Sequence, residues 1–131
     1  LKGLLNQTDV LRAVKAGVDA VIISTHGGRY RDSSVAPIEV LPEIRNAIGD
    51  DFPLIVDSGP RRGSDIIKAL ALGANLVMSG RPTLYGAAFN GEEGAYRVLE
   101  ILREETDTLM AQLGLNSIDE IGPQIFWSDP D

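Results

Sequence analysis

The one histidine of this chain, His26, is separated from an apolar run by Ser24 and Thr25 and is followed by Gly27, Gly28 and Arg29. A strand ending there would bring a titratable imidazole, flexible backbone and a permanent cation to one point. Two more concentrations of the same kind follow: Asp57-Ser58-Gly59-Pro60-Arg61-Arg62-Gly63 after one apolar run, and Gly80-Arg81-Pro82 after another. An imidazole moves protons near neutral pH, arginines grip carboxylates and phosphates bidentately, and glycines let backbone N–H groups approach a phosphate. A histidine beside paired glycines is also what an ordinary turn looks like. The chemistry therefore rests on whether the three loops converge.

Elements that would make them converge are readable. Thr8 or Asp9 can cap a first helix carrying Val10, Leu11 and Val14 at helical spacing, with Gly17 as its stop. Residues 18–24 form a nearly unbroken apolar run, the pattern of a parallel strand covered on both faces. Residues 25–36 have no periodicity and make a loop of about 12 residues, the length at which functional loops are found. After Pro37, the stripe Val40, Leu41, Ile44, Ala47 and Ile48 predicts a second helix, with Pro42 expected in its first turn and Gly49 at its end. A strand over 53–57, a third helix capped by Ser64 or Asp65 and ended by Gly73, and a strand over 75–79 complete the pattern. Gly80-Arg81-Pro82, Tyr85 and Gly86 read as a short connection to a long helix over 92–113 that buries Val98, Leu99, Leu102, Leu109, Met110 and Leu113. Residues 114–131 read as a tail whose Ile118, Ile121, Ile125, Phe126 and Trp127 pack on a surface.

Strands alternating with helices imply right-handed crossovers and a parallel sheet, hence an α/β fold in a single domain over 1–131. All strands of such a sheet point one way, about 4.8 Å apart, so their C-terminal ends can surround one ligand. Lys2, His26, Arg29, Asp57, Arg61, Arg62 and Arg81 gather there, interleaved with Gly27, Gly28, Gly59, Gly63 and Gly80. That is an anion site, and glycine-bearing loops after the last two strands of an eight-stranded barrel commonly hold phosphate. Bland readings compete at each position: Lys2 as a solvated end, Asp57 as a turn cap, Arg62 as a surface cation, Arg81 paired with Glu92 or Glu93. Tyr30, Tyr85 and Tyr96 read as packing residues.

Composition bounds the alternatives. The 131 residues are 44% hydrophobic and 24% charged, enough for one ordinary core. No apolar run approaches the roughly 20 residues of a membrane helix, and neither end carries a readable address, which leaves the cytoplasm as the default expectation. The absence of cysteine excludes disulfides, thiolate metal sites and cysteine nucleophiles. No metal is expected. A net charge of −7 argues against a nucleic-acid surface.

Over Leu1-Lys2-Gly3, Ser24-Thr25-His26-Gly27-Gly28-Arg29, Ala36-Pro37-Ile38-Glu39-Val40-Leu41, residues 57–63, 68–74 and 80–86, the chain resembles the FMN-dependent 2-hydroxy-acid dehydrogenase and oxidase family. The resemblance implies a (β/α)₈ TIM barrel of which this chain is the C-terminal half, from the end of strand five through strand eight and the final helix. It implies FMN as cofactor and oxidation of a small L-2-hydroxy acid to the 2-oxo acid. His26 would be the base and Arg29 the carboxylate clamp, both touching substrate. Lys2 would sit at the flavin N1/O2 edge, Ser24 would hydrogen-bond the flavin, and Asp57, Gly59, Arg61, Gly80 and Arg81 would hold the ribityl chain and phosphate. Thr25 and Tyr30-Arg31 depart from the Asn and Gln-Leu usual in the family, and Pro60 removes a backbone donor from the phosphate loop. The partners implied are the 2-hydroxy acid, a missing N-terminal half barrel on the same or a separate chain, and further copies in a homo-oligomer once complete. That missing half would bring a second substrate arginine, a tyrosine and the aspartate that orients the base. Alternatives are an inert half barrel or another FMN- or phosphate-binding barrel enzyme. An enzyme resembling IMP dehydrogenase would need a cysteine, and a type 2 isopentenyl diphosphate isomerase would lack His-Gly-Gly-Arg.

Overall fold

A computed structural model describes residues 1–127; the last four positions of the expected tail, 128–131, lie outside the described residues. Four short strands, β1 (Lys2–Leu4), β2 (Val21–Ile23), β3 (Leu54–Asp57) and β4 (Leu76–Met78), form one parallel sheet in chain order. Helices α1 (Gln7–Lys15), α2 (Pro37–Ile48) and α3 (Gly63–Ala71) connect them, and α4 (Arg81–Gln112) follows. The α/β reading and its parallel sheet are borne out.

The register explains which face carries what. Ile23, Val56 and Val77 pair across the sheet and point into the core, where Val21, Leu54, Val10, Leu41 and Ile44 are fully buried. Ile22, Ile55 and Leu76 pair in the next row and point the other way, followed by the pair Asp57 and Met78. Apolar side chains on this second face are only partly covered: Leu76 is 61% and Met78 40% exposed. Expectation and structure differ here, because the apolar runs predict cover on both faces and helices bury only one.

Several boundaries also differ. Asn6, not Thr8 or Asp9, caps α1, its Oδ1 accepting the Asp9 N–H at 2.8 Å. Pro42 lies beyond the first turn of α2, because Pro37 already occupies the start of that helix. Arg62 precedes α3, and Asp65 caps its entrance by accepting the N–H groups of Arg61 and Arg62 at 2.9 and 3.0 Å. The expected connection after β4 is itself helical from Arg81, and the helix breaks at Asn90 (φ −146°) and Gly91 (φ 57°). The two segments then cross so closely that a Cβ on Gly86 or Gly94 would strike the other's backbone. Leu99 and Leu113 are exposed, since α3 covers only one stripe of α4 while Leu102 and Met110 are buried. In the tail, Ile121 and Ile125 are half-buried, the turn Pro123–Ile125 lies against α3, and Ile118 and Trp127 are exposed.

The end of the sheet opposite the glycine loops is tied by Arg45. Its guanidinium donates to the carbonyls of Gly73 (2.8 Å) and Phe52 (3.0 Å), to that of Gly49, and to Asn75 Oδ1 (2.8 Å), which also accepts the Leu54 N–H at 2.8 Å. One buried side chain thus joins the end of α2 to the starts of β3 and β4. Replacing it strands several acceptors at once, so Arg45→Met should destabilise the fold by about 2 to 4 kcal/mol in urea unfolding.

Candidate functional site

The parallel strands deliver Ser24, Asp57 and Ser79 to one end of the sheet, and the glycine loops open from there. Lys2, expected at a strand end, is instead the first residue of β1, level with Ile22, and reaches this end through its long side chain. Asp57 is the meeting point. The residue is 8% exposed, and its carboxylate receives Ser24 Oγ at 2.5 Å and Lys2 Nζ at 3.0 Å on the same oxygen. Burial alone would raise this carboxyl, but the Ser24 hydrogen bond, the ammonium of Lys2 and the Ser58 backbone outweigh it and hold the pKa below the ordinary value. Lys2 remains 37% exposed on its side chain and keeps donors free for an acceptor beyond Asp57.

The histidine loop is built on this anchor. Ser24 Oγ, whose proton goes to Asp57, accepts the backbone N–H of His26 at 2.9 Å, and Ser58 Oγ accepts that of Gly27 at 3.0 Å. Residues His26–Gly28 form a tight turn in which His26 has φ 55° and Gly27 and Gly28 have φ 70° and 76°. Three successive positive φ values explain the two glycines, because side chains rarely adopt this region. The imidazole lies over Gly3. There the pairing of β1 with β2 slips by one residue, making a bulge with φ 101°, and a Cβ would come within 2.7 Å of His26 Cε1.

Arg29, Arg61 and Arg81 form no ion pair among the described residues, whereas Arg62 turns away to Glu105 at 2.9 Å. Arg62 is therefore removed from the expected cationic rim, and Arg81 pairs with neither Glu92 nor Glu93. Glu105 accepts the Gly63 N–H at 2.8 Å and then Arg62, and these bonds hold its pKa below the ordinary value. The Arg81 guanidinium runs past Gly27, 3.6 Å from where a Cβ would stand. Together Lys2, His26, Arg29, Asp57, Arg61 and Arg81 line one cleft of about 220 Å³. Gly59 (φ 121°) and Gly80 also face it, with nothing within 4 Å of a Cβ on either. This volume is below the 300–1,000 Å³ range usual for ligand pockets, so the described residues form a wall rather than an enclosure.

Three features escaped the sequence reading. Tyr30 stands edge-on to the His26 ring at 5.5 Å, with the Arg29 guanidinium 5.7 Å from its own ring. Arg61 lies 5.9 Å from the Tyr85 ring. Tyr30, Tyr85 and Tyr96, expected as packing residues, are all exposed, and the first two instead flank site cations from the solvent side; the adjacency of Arg29 and Tyr30 was the only signal for the first. Ser58 carried no signal beyond following a strand-end carboxylate.

Fold and site together define a parallel α/β scaffold with an anion-receiving cleft at the strand ends, built around one histidine and unpaired arginines. Residues 1–128 match the FMN-dependent dehydrogenase family, and the chain belongs to it. It is 47% identical to a peroxisomal (S)-2-hydroxyacid oxidase of Arabidopsis thaliana over 121 residues, 92% of this chain and 33% of that protein. It is also 47% identical to (S)-mandelate dehydrogenase of Pseudomonas putida, over 94% of this chain and 31% of that one. A solved structure of an oxidized active mutant of (S)-mandelate dehydrogenase superposes with a TM-score of 0.90, covering 94% of this chain and 34% of its own. The chain spans about a third of the length of the relatives it matches.

Because the His26 ring rests on bare backbone, Gly3→Ala should displace the imidazole and destabilise the fold by about 1 to 3 kcal/mol. The His26 Hε1 resonance and the urea midpoint report the two effects separately.

Proposed function

We propose that this chain is the C-terminal half of a (β/α)₈ barrel and supplies the base, the carboxylate clamp and the phosphate end of a site that oxidises a small L-2-hydroxy acid to its 2-oxo acid. The observation that carries this reading is the convergence of His26, Arg29, Arg61 and Arg81 on one cleft in a chain of this family. The half-barrel reading is supported by the partly covered row Ile22, Ile55, Leu76 and Met78, the face that a closed barrel would turn inward. Such a barrel takes about 250 residues. An N-terminal half, on the same or a separate chain, would cover that face and the open edges of β1 and β4.

The donor set fits FMN. Arg61 and Arg81, which form no ion pair among the described residues, stand beside Gly59 and Gly80, whose open backbone leaves room for a phosphate. Lys2, only partly engaged by Asp57, would face the N1/O2 edge of the ring. Ser24 is buried and bonded to Asp57, so it would meet a flavin only by exchanging that partner. When bound, FMN supplies the acceptor for the two electrons leaving the substrate's C2. Arg29 would hold the substrate carboxylate through two parallel N–H bonds, fixing C2 relative to the imidazole. His26 would accept a proton as the alcohol becomes a ketone, and its ring is kept in place by Gly3 beneath and Tyr30 beside it.

The complete FMN-loaded polypeptide, mixed without oxygen with a panel of 2-hydroxy acids, should bleach its flavin absorbance. His26→Gln should slow bleaching by about 10² to 10⁴ while leaving flavin binding intact. Unchanged bleaching would remove His26 from the base role, and flavin binding without bleaching in the native protein would favour an inert module.

A further inference from the structure

We propose that Ser58 is a positioning residue for His26, holding the histidine turn through the Gly27 amide; the inference rests on His26 acting as the base. Besides His26, Ser58 is the only non-glycine residue among those described with a positive φ, at 78°. A serine gains nothing from that conformation by itself, and it persists only where its surroundings hold it. Here they do: Ser58 Oγ accepts the Gly27 N–H at 3.0 Å and stands 3.3 Å from Ser24 Oγ and 3.4 Å from Asp57 Oδ2.

The proton count fixes the direction of the network. Ser24 has one hydroxyl proton and directs it to Asp57 at 2.5 Å, leaving its oxygen to accept the His26 N–H at 2.9 Å. Ser58 repeats the arrangement one residue on, accepting from Gly27 and pointing its own proton towards the Asp57–Ser24 pair. Two consecutive backbone N–H groups are thus held by two hydroxyls that share one charged carboxylate. Ser24 alone would leave the turn free to pivot about the His26 amide. The second hydroxyl fixes its orientation, and with it the direction in which the imidazole leaves the backbone. Neither serine hydrogen-bonds the imidazole, and the link from Ser58 runs through the Gly27 amide.

Ser58→Gly separates support from strain, because glycine adopts φ 78° freely while losing the acceptor. In the protein without flavin, amide exchange at Gly27 should quicken about fivefold, with the amides of β2 and β3 unchanged. In the FMN-loaded complete polypeptide, the rate of flavin reduction at saturating 2-hydroxy acid should fall about tenfold or more, with flavin affinity retained. Ser58→Asn, which tolerates a left-handed backbone and restores an acceptor oxygen, should recover part of both losses. Native Gly27 exchange, or a native reduction rate, in Ser58→Gly overturns the proposal. Loss of flavin affinity together with rate would also overturn it, by moving Ser58 to the cofactor. If Ser58→Gly slows reduction but His26→Gln does not, the base assignment fails instead, and the Gly27 exchange result stands on its own.

Discussion

One carboxylate oxygen organises the site end of this molecule. Asp57 Oδ2 collects the hydroxyl of Ser24 at the end of β2, the ammonium of Lys2 on β1 and the hydroxyl of Ser58 beyond β3. A buried carboxylate without such donors would be expensive to ionise, and with them it becomes a fixed negative centre among otherwise unpaired cations. The consequences spread outward through backbone amides rather than side chains. His26 and Gly27 are held by the two serines, and the imidazole comes to rest on the Gly3 bulge.

The two ends of the sheet are stabilised by opposite means. At one end Arg45, a buried cation, satisfies carbonyls from several connections and fixes the starts of β3 and β4. At the other, a buried anion ties the start of β1 to the ends of β2 and β3, while Arg29, Arg61 and Arg81 form no ion pair among the described residues. A rigid closed end and a cationic open end suit a scaffold whose loops receive an anion. The limited cleft volume and the partly covered face with Leu76 and Met78 explain why such a site asks for more surface than the described residues offer.

Much of this was legible in the residues. Strand positions followed from apolar runs, and parallel alternation alone brought His26, Asp57 and Arg81 to one end, whereas Lys2 reaches it from the start of β1 by the length of its side chain. What was not legible depended on tertiary contacts. Arg62 looked like a member of the rim until Glu105, far away in sequence, drew it off. Arg45 drew no reading at all, because most of its acceptors are carbonyls, which leave no trace in side-chain identity. Helical structure from Arg81 was hidden by Pro82 and two glycines, although proline is well suited to a first turn and the glycines allow two segments to cross. Ser58 was silent because serine ordinarily marks a turn.

The most direct test of this account is a ¹³C-detected pH titration of the Asp57 carboxyl, followed together with the amide signals of His26 and Gly27. A depressed carboxyl pKa contributes stability that is present above the ordinary value of 3.8 and is lost as pH falls through the folded value. The account predicts an Asp57 midpoint below 3.8, with both amides shifting through that same midpoint. A midpoint at or above 3.8, or amides that stay still while Asp57 titrates, would contradict it.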